Sequence, residues 1–183
     1  MKKLIRFFSE ADMFFSKHIN DASVDYKSIR KNPEQLIKLV AAISAFDFKN
    51  AVKNREMAFW INAYNILVIQ SVVNNYPLKS RLDVKGFFDT RQHLTGGAKL
   101  TLNEIENKKL REKFGDARIH FVLVCAAQSC PPMINRAYLR PNWMNSSMPE
   151  QRQILMTLTL FKLIQWLRKL RFLKSSSGMS RIL

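Results

Sequence analysis

Acidic residues are scarce in this chain: 14 Asp and Glu stand against 30 Lys and Arg, giving a formal charge of +16 over 183 residues. Glycine and proline are also few, at 5 and 6, while 47% of the residues are hydrophobic, a composition that excludes low complexity and intrinsic disorder for most of the chain. There are only two cysteines, Cys125 and Cys130, separated by four residues. A closed zinc site needs four ligands at recognised spacings, and one such pair without a second does not supply them, so neither a metal nor a cofactor is expected. Long apolar runs are missing too. Met57 to Val73 comes nearest, but Asn62, Asn65 and Gln70 interrupt it and make it too polar for a lone membrane span. At the N-terminus, MKKLIRFFSEADMFF opens with positive charge, yet Glu10 and Asp12 break its apolar run and no small-residue cleavage site follows. The sequence therefore predicts a cytoplasmic chain with both thiols free.

What is present points to one α+β domain. Its length suits a single core. The positive charge is uneven: 22 basic and 13 acidic residues lie before or at Tyr138, against 8 and 1 beyond it. No helix-turn-helix, zinc-finger or aromatic RNA-binding signature accompanies it, so specific recognition of nucleic acid is not expected.

Along the chain, residues 1–20 read as an amphipathic helix, and DASVDY as a turn into a short extended segment. Asn32 and Pro33 form a helix start, with Glu34 in the first turn and a stripe of Leu36, Ile37, Leu39, Val40 and Ile43. A second start at Asn54 opens MAFWINAYNILVIQSVVNNY, apolar nearly all round and hence the buried central helix, ended by Pro77. Asn62 and Asn65 share one face of it. They either cap backbone groups of a neighbouring loop or line a polar pocket. Gly96 and Gly97 predict a tight turn between two short strands; Thr101 to Glu104 fits a capping box leading into an exposed helix that Gly115 closes.

The segment RIHFVLVCAAQSCPP, from Arg118 to Pro132, reads as a strand buried on both faces running into a turn. Cys125 falls among its core positions. Cys130 follows Ser129 and precedes two prolines, residues of a helix start, where unpaired amides and the positive end of the dipole favour a thiolate. Cys130 is thus the candidate nucleophile, with His120 or His93 as candidate base; the alternative is a small packed cysteine and a hydrogen-bonded core histidine.

FWINAYN, the LNEIE-x-x-x-LR element and RIHFVLVCAAQSCPP, in this order and with VDY and NNYPLKS around them, resemble the family called domain of unknown function 547 (DUF547). The resemblance covers about residues 21–138 and implies an α+β domain, built here around the buried central helix and a small mixed sheet. It implies no established reaction. The histidine and paired cysteines of the family fall on His120, Cys125 and Cys130, while the histidine that members often carry after Ile-Glu is replaced by Asn107. Many bacterial relatives look exported, whereas no signal is read here. Beyond Tyr138 the family continues with an acidic helical stretch, but residues 152–183 contain no Asp or Glu. A shifted reading frame near Leu155 would account for this, and residues 139–183 are read as an atypical basic tail suited to peripheral contact with anionic membranes. Two functional classes follow. One is a thiol-dependent hydrolase or acyl transferase using Cys130 with His120 or His93; the other is a non-catalytic binding module for a small molecule or peptide, or a degenerate copy of one. Asn62, Asn65 and Glu106 are the candidate binding side chains.

Overall fold

In a computed structural model, residues 2–21, 23–48, 51–78, 80, 83–126 and 133–139 are described. Residues 127–132, including Cys130 and the expected turn and helix start, and the tail from 140 onward lie outside them.

The apolar spacing of the first stretch forms α1 (Lys2–His18), whose Phe7, Phe14 and Phe15 are buried with the rest of the core. A two-residue antiparallel ribbon follows, β1 (Ile19–Asn20) against β2 (Ser23–Val24). Asp25 then caps α2 (Tyr26–Lys31) by accepting from the Ser28 amide at 2.9 Å. Asn32 closes α2 rather than opening the next helix; Pro33 itself caps α3 (Glu34–Ser44), which buries Leu36, Leu39 and Ile43 but leaves Ile37 exposed.

The central helix α4 (Lys53–Val73) begins one residue before the expected start, and every side chain from Met57 to Ile69 is buried. Aromatic rings lock it in place. Phe7 and Phe46 approach Phe59 at 4.9 and 4.0 Å, and Phe48 stacks on Trp60 at 5.0 Å. Burying such rings supplies roughly 25 cal/mol for each Å² of apolar surface withdrawn from water, which is why α4 serves as the floor on which the other elements rest.

The glycine turn forms as expected. β3 (Gln92–Thr95) pairs antiparallel with β4 (Ala98–Thr101), and Gly96 and Gly97 take φ of 59° and 79°, the left-handed conformation that two-residue hairpin turns require. Their amides donate to the carbonyls of Ile43 and Ser44 at 3.0 and 3.1 Å. The turn thereby satisfies carbonyls that the end of α3 leaves without helical partners. Among the described residues the β structure is these two separate antiparallel ribbons, which corrects the expected mixed sheet. The fold is otherwise the α+β domain predicted, with one hydrophobic cluster drawing on residues from Leu4 to Tyr138.

After β4 the capping box is complete: the Glu104 amide donates to the Thr101 hydroxyl at 3.1 Å, and the Thr101 amide to the Glu104 carboxylate at 3.0 Å. It opens a continuous helical rod made of α5 (Leu102–Glu104), a π-helical stretch (Ile105–Arg111) and α6 (Glu112–Phe114), closed by Gly115 in the left-handed region. The π-helical winding was not expected from the sequence.

Candidate functional site

The segment read as a buried strand is instead a 3-10 helix, Ala117–Phe121, followed by irregular backbone. Two local and one distant cause override its β-branched composition. The Asp116 carboxylate accepts from the Arg118 amide at 3.0 Å and pairs with the Arg118 guanidinium, which holds that carboxyl below its usual range. The amides of Ile119 and Val122 then bond three residues back, to Asp116 and Ile119.

Further on, the pairing that a strand would seek comes from α4. The Asn65 carboxamide donates to the Val122 carbonyl at 2.9 Å and accepts from the Val124 amide at 3.1 Å. Asn62 does the same one turn earlier, donating to the Tyr138 carbonyl at 2.7 Å and accepting from the Tyr138 amide at 3.0 Å. A carboxamide is one peptide group carried on a side chain, with the same donor and acceptor. These two hold the main chain on both sides of residues 127–132. Asp12 and Ser16 of α1 add to the second clamp, accepting from the Ala137 amide at 2.9 Å and donating to the Asn135 carbonyl at 3.0 Å. Both asparagines are buried, at 0% and 1% exposure, so of the two alternatives for them, capping a neighbouring loop is what the hydrogen bonds describe.

Glu106, by contrast, belongs to an accessible cluster. Its carboxylate accepts from the buried Tyr64 hydroxyl at 3.2 Å and from Arg111 at 2.6 and 3.1 Å; Arg111 in turn reaches Nδ1 of the exposed His120 at 3.1 Å. The winding of the helix makes this cluster. In an α-helix, residues five apart point about 140° away from each other, at 100° per residue; the wider π turn brings Arg111 round to Glu106. Spacing rules for α-helices therefore give Arg111 no reason to stand beside Glu106, although it ends the LNEIENKKLR stretch. Asn107, where relatives often have a histidine, donates to the Asn103 side chain at 2.6 Å instead.

The remaining candidates make none of the hydrogen bonds described for this corner. His93 sits on β3 with its Nε2 buried and, among the described residues, without a hydrogen-bond partner; burial, and then the nearby Arg91 charge, lower its pKa. Cys125 is half-buried and disulfide-bonded, which corrects the expectation of a free core thiol; Cys130, the other cysteine of the chain, is outside the described residues. Among the described residues, no group of three or more His, Cys, Asp or Glu is placed to hold a metal ion, and no helix is long and apolar enough to cross a membrane.

Residues 48–153, more than half of the sequence, match the family described as Protein of unknown function, DUF547. The chain belongs to the DUF547 family. The match begins later than the VDY motif and extends past Tyr138, ending beside Arg152, where the stretch without acidic residues starts. No curated protein and no solved structure is matched by the chain. Within the family's span lie both asparagine clamps, the π-helical rod and the 3-10 turn.

Proposed function

We propose that this DUF547 domain is a non-catalytic binding module, and that its recognition surface is the corner formed by Glu106, Arg111 and His120. The observation that carries this reading is the relay from the buried Tyr64 through Glu106 and Arg111 to His120. Polar side chains ordered from beneath in this way are pre-organised, and pre-organisation lowers the entropic cost of gripping a ligand. The ligand class is a small molecule or peptide. A degenerate copy is the form of this reading in which residues 139–183 stem from a shifted frame; the nucleotide sequence tests it, since a second frame continuing the family's acidic stretch must then be present.

The second reading is a thiol-dependent hydrolase or acyl transferase, with Cys130 as nucleophile and His120 or His93 as base. Its support is that His120 is exposed and lies on the same short segment as both cysteines. A disulfide at Cys125 weighs against it, because a nucleophilic thiol must be reduced to act. Labelling of the native chain with iodoacetamide at neutral pH separates the two. The binding-module reading predicts no modification until reductant is added, and then modification no faster than that of a free thiol; rapid modification of Cys130 without reductant would replace it with the enzyme reading.

A further inference from the structure

We infer that the outward face of α1 docks on an anionic lipid bilayer, an inference that does not depend on the corner of Glu106, Arg111 and His120. The inner face of α1 is spent on the core, where Phe7, Phe14 and Phe15 are buried. On the outer face Ile5, Ser9, Met13 and Lys17 follow one another four residues apart, so they form one stripe along the helix. All four are exposed, Ile5 at 59% and Met13 at 55%. Two large apolar side chains on one stripe, roughly 12 Å apart along the axis, form a pattern that singly scattered surface residues do not.

The charge offered beside the stripe is positive. Lys3, Arg6 and Lys17 are exposed, while the two acids of α1 are engaged: Glu10 accepts from Arg6 at 2.7 Å, and the half-buried Asp12 accepts from the Ala137 amide at 2.9 Å. The segment on which the chain leaves the domain runs along the same side of the helix. Ser16, which lies within about 20° of Ile5 around the axis, donates to the Asn135 carbonyl at 3.0 Å. That segment exposes Arg136 and Leu139, and the sequence beyond Tyr138 carries 8 basic residues and 1 acidic one. Shallow apolar side chains flanked by cations suit a surface that is negative on top and apolar beneath, which is an anionic bilayer. The long Lys and Arg side chains reach the headgroups while Ile5 and Met13 enter the acyl boundary.

The test is co-sedimentation of the full chain with phosphatidylcholine vesicles, with and without phosphatidylserine, at low and at physiological salt. The unaltered protein should bind only the vesicles that contain phosphatidylserine, and less at the higher salt. The basic tail can bind the same lipid, so the deciding comparison is between variants of α1. Each basic residue at an anionic surface contributes up to about fivefold, so Lys3→Gln combined with Lys17→Gln should weaken binding on the order of tenfold. Ile5→Ser combined with Met13→Ser should weaken it by about as much. Both pairs lie on the exposed side of the helix and leave the core intact, which melting curves check. Leu94→Ser removes an apolar side chain of 50% exposure from β3 and should leave binding unchanged. The inference is overturned if the unaltered protein does not bind, or if either paired variant binds as the unaltered protein does, since the tail would then carry the contact alone. A loss in Leu94→Ser as large as in the pairs overturns it too, as does a lipid-free dimer in sedimentation velocity that the Ile5 and Met13 pair dissolves, which would assign the stripe to a second copy of the chain.

Discussion

The β3–β4 hairpin and the clamped segments 122–124 and 137–138 are both non-helical neighbours of the same buried helix layer, but they are held by opposite means. The hairpin closes on itself through backbone pairing and a two-glycine turn, and its turn amides then dock on α3. Among the described residues the clamped segments have no ladder of their own and depend on single side chains, Asn62 and Asn65 of α4 with Asp12 of α1 at Ala137. Local pairing spreads stability over many backbone groups; clamping concentrates it in single residues. The candidate corner sits on the second kind of support, since the 3-10 helix bearing His120 runs directly into the segment that Asn65 holds.

Emptying the shared support should abolish the distinction. Trp60 is 2% exposed and stacked on Phe48, and Trp60→Ala should destabilise the whole domain by about 3 to 5 kcal/mol. Denaturant unfolding checks this, and a loss under about 1 kcal/mol would show that α4 does not carry both regions.

A smaller, one-sided effect is expected from Asn62→Ala. It leaves the buried N–H and C=O of Tyr138 without their partner, at about 1 to 3 kcal/mol for each buried group abandoned. Some relaxation toward water will reduce the sum, so a loss of about 2 to 4 kcal/mol is expected, with the hairpin unaffected. Hairpin resonances that shift as much as those of residues 133–139 would contradict the separation.

The converse variant is Gly96→Ala. A Cβ there would lie 2.6 Å from the Phe48 ring, on a backbone with φ of 59°, and the left-handed conformation alone costs a side chain about 1 to 2 kcal/mol. A loss of roughly 2 kcal/mol confined to the hairpin and its contact with α3 is the expected outcome, read as faster amide exchange at 92–101 and not at 122–124.

Two histidines, His93 on the hairpin and His18 at the end of α1, add a dependence on pH. Burial lowers the pKa of His93, with Arg91 adding to the effect, and lowers that of His18, where Lys17 adds to it and Asp25 opposes it. In both, folding favours the neutral ring over the charged one. Their contribution is fully present above the ordinary histidine value of 6.5 and is lost as pH falls below it toward the lowered folded values. His93→Gln should flatten part of that decline in a series of melting curves; an unchanged decline would mean that His93 is not the group responsible.

Elements governed by neighbours in sequence are legible in the sequence itself. The Gly96–Gly97 turn, the Thr101–Glu104 capping box and the buried α4 each follow from rules that act within a few residues. The strand expected over 119–126 does not form because its composition favours extension while its hydrogen-bond partners come from Asp116 nearby and from Asn65, 57 residues away from Val122. The corner was half legible. Glu106 and His120 could be singled out as chemistry-bearing residues, but Arg111 joins them only because the helix unwinds into a π turn, which no α-helical spacing foretells.

Amide hydrogen exchange at Val124 and Tyr138 tests the clamped architecture most directly, since each amide is held by a side chain of α4. In the unaltered protein both should be protected nearly to the level of the α4 core; Asn65→Ala should release Val124, and Asn62→Ala should release Tyr138, each without changing the hairpin amides. Val124 and Tyr138 exchanging in the unaltered protein as fast as open chain would contradict the account.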